Sequence, residues 1–86
     1  MNALWSDEFE TVLRTHLPLL AQEEEVDPDA ALARLGLDSL GTVGLLVELE
    51  ETFAIVIPDE SLNAETFATP RSLWGTVDQL AKAQVR

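Results

Sequence analysis

Eighty-six residues, 47% of them apolar, suffice for one domain with one modest core and are too few for two. A formal charge of −11, with only five basic residues, excludes a nucleic-acid partner, because a phosphate backbone needs cationic patches. The chain has no cysteine, hence no disulfide framework and no thiolate of its own, and no apolar run approaches the ~18 residues of a membrane span.

The start, Met1 to Glu8, lacks the basic region and apolar block of a signal peptide, so a cytoplasmic protein is expected. Ser6 or Asp7 caps a first helix, with Asp7 and Glu10 spaced as in a capping box. Phe9, Val12, Leu13, His16 and Leu17 fall on or near one face, and Pro18 ends or kinks the helix. His16 is the only histidine, and at the edge of a core-facing helix its expected role is structural.

Residues 21–37 read as a long connection, solvated at Glu23-Glu24-Glu25 and turning at Asp27-Pro28-Asp29. A calcium loop there would want a further oxygen ligand and a glycine where Ala31 and Leu32 stand, so none is expected. Val26, Leu32, Leu35 and Leu37 anchor the connection, with one helical turn around 29–34.

The next helix opens at Asp38-Ser39, both good capping residues, after Gly36 has turned the chain. Its apolar residues at 40, 43, 46, 47 and 53 predict a wide stripe toward the core. Ala54-Ile55-Val56-Ile57 is β-branched, but without a pairing partner it reads as an extended packing segment closed by Pro58. A short helix is expected over 63–67, with Leu62 and Phe67 turned inward. The last helix starts at Thr69-Pro70 and carries Leu73, Trp74, Val77 and Leu80 to about Ala83. The expected fold is all-α, a single domain over 1–86 made of three main helices and one short one, four in all. The predicted core is Phe9, Val12, Leu13, Leu32, Leu37, Val43, Leu46, Val47, Phe53, Ile55, Ile57, Leu62, Phe67, Leu73, Val77 and Leu80.

Gly36-Leu37-Asp38-Ser39-Leu40 resembles the modification motif of the acyl and peptidyl carrier proteins, and the likeness continues through Glu48 to Phe53 and into Ile57-Pro58-Asp59-Glu60. The resemblance implies that Ser39 carries a 4′-phosphopantetheine arm derived from coenzyme A. A phosphodiester there would sit at a helix N-terminus, where free N–H groups and the macrodipole favour anions. For Asp38 it implies two roles that the sequence leaves open, capping the helix or helping a transferase hold its metal and orient the seryl hydroxyl. No catalytic residue and no metal ligand of the chain's own is implied. The implied partners are a phosphopantetheinyl transferase, an adenylating or acyl-loading enzyme, and an acyltransferase or synthase, acting on a monomer.

Between Arg34 and Arg71 there is no Lys or Arg, while Asp38, Glu48, Glu50, Glu51, Asp59, Glu60 and Glu65 fall there. Such a run is either a solvated face or an attraction for basic partner enzymes. The expected partner surface is Leu40, Gly41, Gly44, Glu48, Glu50 and Glu51. The two glycines either relieve crowding inside the chain or let a partner approach the backbone beside the arm.

Fatty-acid-type carriers commonly have acids two and five positions after the modified serine, where this chain has Gly41 and Gly44. The resemblance is nearer to discrete aminoacyl carriers, the D-alanyl type included, and to natural-product carriers. An aminoacyl cargo in secondary-metabolite biosynthesis is therefore expected, with an acyl carrier for fatty-acid or polyketide synthesis as the alternative. The positions of the chain ends relative to the helices suggest a discrete protein and not an excised module. Among other classes, an unmodified acidic helical interaction domain explains the charge but not the motif. A serine hydrolase needs glycines at 37 and 41, and residue 37 is leucine.

Overall fold

The computed structural model describes residues 4–84, and three α-helices lie among them: α1 (Asp7–Thr15), α2 (Ser39–Phe53) and α3 (Pro70–Gln84). Ser6 caps α1, its hydroxyl accepting the Phe9 N–H at 3.3 Å. Glu10 does not complete a capping box. Its carboxylate accepts from the Trp5 indole at 3.0 Å and from Arg14 at 3.1 Å. These contacts, the Trp5 hydrogen bond foremost, hold its pKa below the usual carboxylate value. His16 is the C-cap, and Pro18 follows two residues later. The Arg14 guanidinium also reaches the carbonyls of Ala21, Gln22 and Glu24, which stitches the acidic stretch of the connection onto α1.

Val26, Leu32 and Leu37 are buried as anchors of that connection. Two backbone bonds tie it to the start of α3, Leu32 N–H to Ala68 at 2.9 Å and Arg71 N–H to Pro28 at 3.0 Å. The expected helical turn is a 3₁₀ turn at Leu32–Leu35, closed by Gly36 in the left-handed region at φ 101°. A Cβ on Gly36 would also meet Pro18 at 2.8 Å, so the glycine is required twice over.

The expected face of α2 is corrected. Leu45 and Leu49 are fully buried and Leu46 and Phe53 half-buried, whereas Val43 and Val47 are 58% and 48% exposed. The helix carries apolar residues almost all round, so periodicity does not determine which side turns inward. Tertiary contacts do: His16 sits against the Gly44–Glu48 side, and Leu45 and Leu49, each one residue further on, face α1 and α3. The core also takes in Trp5 and Leu17, which the sequence reading left out of it. Trp5, Phe9, Trp74 and Phe53 form a run of tilted ring contacts, with centroids 5.6, 5.0 and 6.1 Å apart in turn.

Of the segment expected to be extended, Ala54 is instead the left-handed C-cap of α2 at φ 53°, and the chain beyond it forms no helix or strand, with Ile55 and Ile57 buried and Val56 exposed. Side chains take the place of a neighbouring strand. Glu50 accepts from Ile57 N–H at 2.8 Å, and the Gln84 amide bonds both the N–H and the carbonyl of Val56 at 3.0 Å. The short helix expected over 63–67 is a turn, because Asn63 Oδ1 takes the Thr66 N–H at 2.9 Å and the backbone bonds that follow are long, Phe67 to Asn63 at 3.4 Å and Ala68 to Glu65 at 3.3 Å. Another 3₁₀ turn falls at Asp59–Ser61. Leu62, expected inside, is 42% exposed. Thr69 opens α3 by exchanging hydrogen bonds with Ser72, and Pro70 occupies the first helical position.

Candidate functional site

Ser39 is the first helical residue of α2 and is exposed; Leu40 beside it is 85% exposed. Capping falls to Asp38, whose Oδ1 accepts the Gly41 N–H at 2.7 Å while its carbonyl receives both the N–H and the hydroxyl of Thr42, at 2.8 and 2.7 Å. The Ser39 hydroxyl is therefore not needed to start the helix. Asp38→Ala should lower stability by about 1 kcal/mol, checked by chemical denaturation, and should be more costly than any change at Ser39.

Behind the serine the chain is braced. Leu37 is buried, Gly36 packs under Pro18 and Leu19, and the Leu19 N–H bonds the Leu35 carbonyl at 3.0 Å. A cleft of about 500 Å³ runs beside Ser39 between Asp38, Thr42 and Phe67, walled by the small side chains of Ala31, Ala33, Ala64 and Ala68. It shares Thr42, Ala64 and Phe67 with a neighbouring apolar groove of about 370 Å³ under Val43, Leu46 and Leu62. An exposed hydroxyl at a helix N-terminus can take a phosphodiester, since the first amides of α2 lack intrahelical acceptors and the macrodipole is positive there. The alanine-walled cleft leaves room for an arm to lie along the protein.

The remaining sequence-derived site residues divide into two groups. Leu40 and Glu51 point to solvent. The others are occupied within the chain. A Cβ on Gly41 would come 3.2 Å from Asp38 Oδ1 and 3.3 Å from Leu37, and one on Gly44 would come 3.1 Å from the His16 ring. Glu48 lies 2.8 Å from His16 Nε2, and Glu50 holds the Ile57 N–H. Val43 and Val47, which the sequence reading put in the core, instead extend the exposed apolar stripe that begins at Leu40. The excess of apolar residues around α2 was the signal available for them.

A small helical domain that displays one serine at a braced helix start is a platform for a covalently attached group. The chain belongs to the phosphopantetheine attachment site family, whose profile matches residues 8–77. It is therefore a carrier domain whose cofactor is covalent 4′-phosphopantetheine, and domains of this family are acted on by partner enzymes. It is similar, at 30% identity and a TM-score of 0.73, to a chain in the crystal structure of an engineered Bradyrhizobium japonicum glycine:[carrier protein] ligase complexed with a carrier protein from Agrobacterium tumefaciens and AMP. That match covers 83% of this chain and 95% of the other, so it is to the short carrier and not to the ligase. A second likeness, of fold alone, has 23% identity and a TM-score of 0.66, covering 83% of this chain and 99% of the other. It is to a chain in the crystal structure of the B. japonicum glycine:[carrier protein] ligase complexed with glycylated carrier protein.

Proposed function

We propose that this chain is an aminoacyl carrier: Ser39 bears the phosphopantetheine arm, and an adenylating ligase loads a small amino acid onto it for use in natural-product biosynthesis. The observation that carries the proposal is the exposed Ser39 at the capped start of α2, within a chain 30% identical to a carrier crystallised with a glycine:[carrier protein] ligase. When attached, the arm supplies the thiol that the cysteine-free chain lacks, and the cargo rides on it as a thioester. The chain's own contribution is display, with the chemistry done by a phosphopantetheinyl transferase, the ligase and a downstream acyltransferase or synthase. We place this work in the cytoplasm, in one domain over 1–86 acting as a monomer; no helix among the described residues is long and apolar enough to cross a membrane.

The closed packing of Leu32, Leu45, Leu49 and Leu73, all fully buried, favours a small cargo over a long acyl chain held inside the bundle. The test is intact mass after incubation with coenzyme A and a transferase, then with ATP, glycine or another small amino acid, and an adenylating ligase. One phosphopantetheinyl increment followed by one aminoacyl increment is expected. Loading only by an acyl- or malonyl-transferase would leave the arm and remove the aminoacyl cargo, and absence of the first increment would sink the carrier assignment for Ser39.

The partner surface proposed from the sequence, Leu40, Gly41, Gly44, Glu48, Glu50 and Glu51, gains Val43 and Val47 and shifts in character. Glu48 and Glu50 are bonded inside the chain, so Glu51 is the acid with most freedom to attract a basic partner, and the apolar stripe supplies the contact. Burying a Leu or Val contributes about 1.5–3 kcal/mol. Leu40→Ala or Val47→Ala should therefore lower kcat/KM for loading roughly tenfold or more, chiefly through KM, with little loss of stability. Charge reversal at Glu51 should slow loading in a salt-dependent way, and at Glu50 it should also loosen the 55–57 segment. Steady-state loading at two ionic strengths separates these effects. Unchanged KM in both apolar variants would move the docking surface elsewhere.

A further inference from the structure

We infer that Gly44 is the seat of the His16 imidazole, and that this seated ring, hooked to Glu48, sets how the Ser39 helix lies on α1. Three observations meet here. His16 closes α1 as its C-cap, with its N–H on the Leu13 carbonyl at 3.0 Å, so the ring leaves from a fixed point. Its Nε2 lies 2.8 Å from Glu48 Oε1, and the His16 side chain is only 19% exposed. Its Cε1 and Nδ1 lie 3.1 and 3.4 Å from where a Cβ on Gly44 would stand, tighter than ordinary contact at the nearer atom. Gly44 and Glu48 are one turn apart on the same side of α2, so the ring rests on one and bonds the other. The side chains next to them, Leu45 and Leu49, are the ones driven fully into the core, while Leu40, Val43 and Val47 are left outside. His16 is thus a positioning residue for the helix that presents the serine, and the glycine is kept small from within the chain and not by a partner's surface.

Gly75 provides the internal control. It also lies inside a helix, α3, but a Cβ there would meet nothing within 4 Å. Glycine to alanine in an open helix is stabilising. Gly75→Ala should accordingly raise the melting temperature in every background, on the order of 5 °C for a domain of this size. Gly44→Ala should lower it in the otherwise native chain and raise it in His16→Ala, a reversal of sign. Should His16→Ala fail to fold, Glu48→Ala serves as the second background, because its unhooked ring can swing aside; the loss from Gly44→Ala should then fall to less than half. A rise on Gly44→Ala in the native chain, or the same fall in all backgrounds, would overturn the inference.

The kinetic arm rests on the carrier reading of Ser39; the melting arm stands without it. Phosphopantetheinyl transfer to Gly44→Ala should slow, and the His16→Ala/Gly44→Ala pair should recover at least half of the lost kcat/KM as its melting temperature recovers. A double variant that regains its melting temperature but not its reaction would place the partner's surface on Gly44 and overturn the positioning role. Absence of transfer to the native chain, with the melting reversal intact, would count against the carrier reading and leave the seat standing.

Discussion

Ser39→Ala should fold as the native chain does and accept no phosphopantetheine at all. Both halves of that expectation follow from the division of work at the start of α2. Asp38 makes the capping bond to Gly41 and receives both Thr42 donors, while Ser39 occupies the first helical position, exposed. Removing the hydroxyl should cost well under the ~1 kcal/mol of a lost cap, and circular dichroism and melting should be nearly unchanged. The covalent step, in contrast, has no substitute. Ser6 is committed to the Phe9 N–H, and Ser72 is bonded to Thr69 and Thr66. Ser61 closes a 3₁₀ turn, with Glu60 and not Asp directly before it and no α-helix starting at it. Intact mass after exposure to coenzyme A and a transferase is the measurement. Any phosphopantetheinyl increment on Ser39→Ala would overturn the assignment of the site.

The second large effect belongs to the other side of the same helix. Leu45→Ala or Leu49→Ala should cost about 2–5 kcal/mol, the lost transfer energy plus the cavity left behind. Each is fully buried against a core in which Phe9, Leu13, Leu73 and Val77 are also fully buried, so little can relax into the space. Against the ~5–15 kcal/mol that holds a typical domain together, that is a large fraction. Val43→Ala and Val47→Ala should cost far less, since these side chains are 58% and 48% exposed. Urea denaturation of the four variants ranks them. Equal losses at 45 and 47 would mean that the face of α2 is wrongly assigned. The stability and docking measurements should thus separate by helix face, Leu45 and Leu49 moving the midpoint and Leu40 and Val47 moving KM.

Local signals were sufficient for where the three α-helices start, though not for the 63–67 stretch, where the Asn63 side chain takes the Thr66 N–H and makes a turn. The capped starts of α1 and α2, the Thr69-Pro70 start and the glycine turn before the motif each depend on one side chain meeting a nearby amide or on one φ angle, and each place could be read in order along the chain, while the choice of Ser6 over Asp7 and of Asp38 over Ser39 as the cap came from the structure. The modification motif is local in the same sense, being a short string at a helix start. The all-α class and the extended segment at 55–57 also followed from composition and spacing. What the sequence could not determine was which side of α2 turns inward. Leu40, Val43, Leu45, Leu46, Val47 and Leu49 surround the helix, and any of several faces would bury enough apolar surface to be plausible. The choice was made by groups far apart in the chain. His16 seats on Gly44 and bonds Glu48, 32 residues away, and α1 and α3 then close over Leu45 and Leu49. The same long-range contacts took Glu48 into the structure and left Leu40, Val43 and Val47 facing solvent, while Glu50 is held by the Ile57 N–H only seven residues on. A hydrophobic stripe has a period but no intrinsic phase when the helix is apolar all round, and only packing against the other elements supplies one.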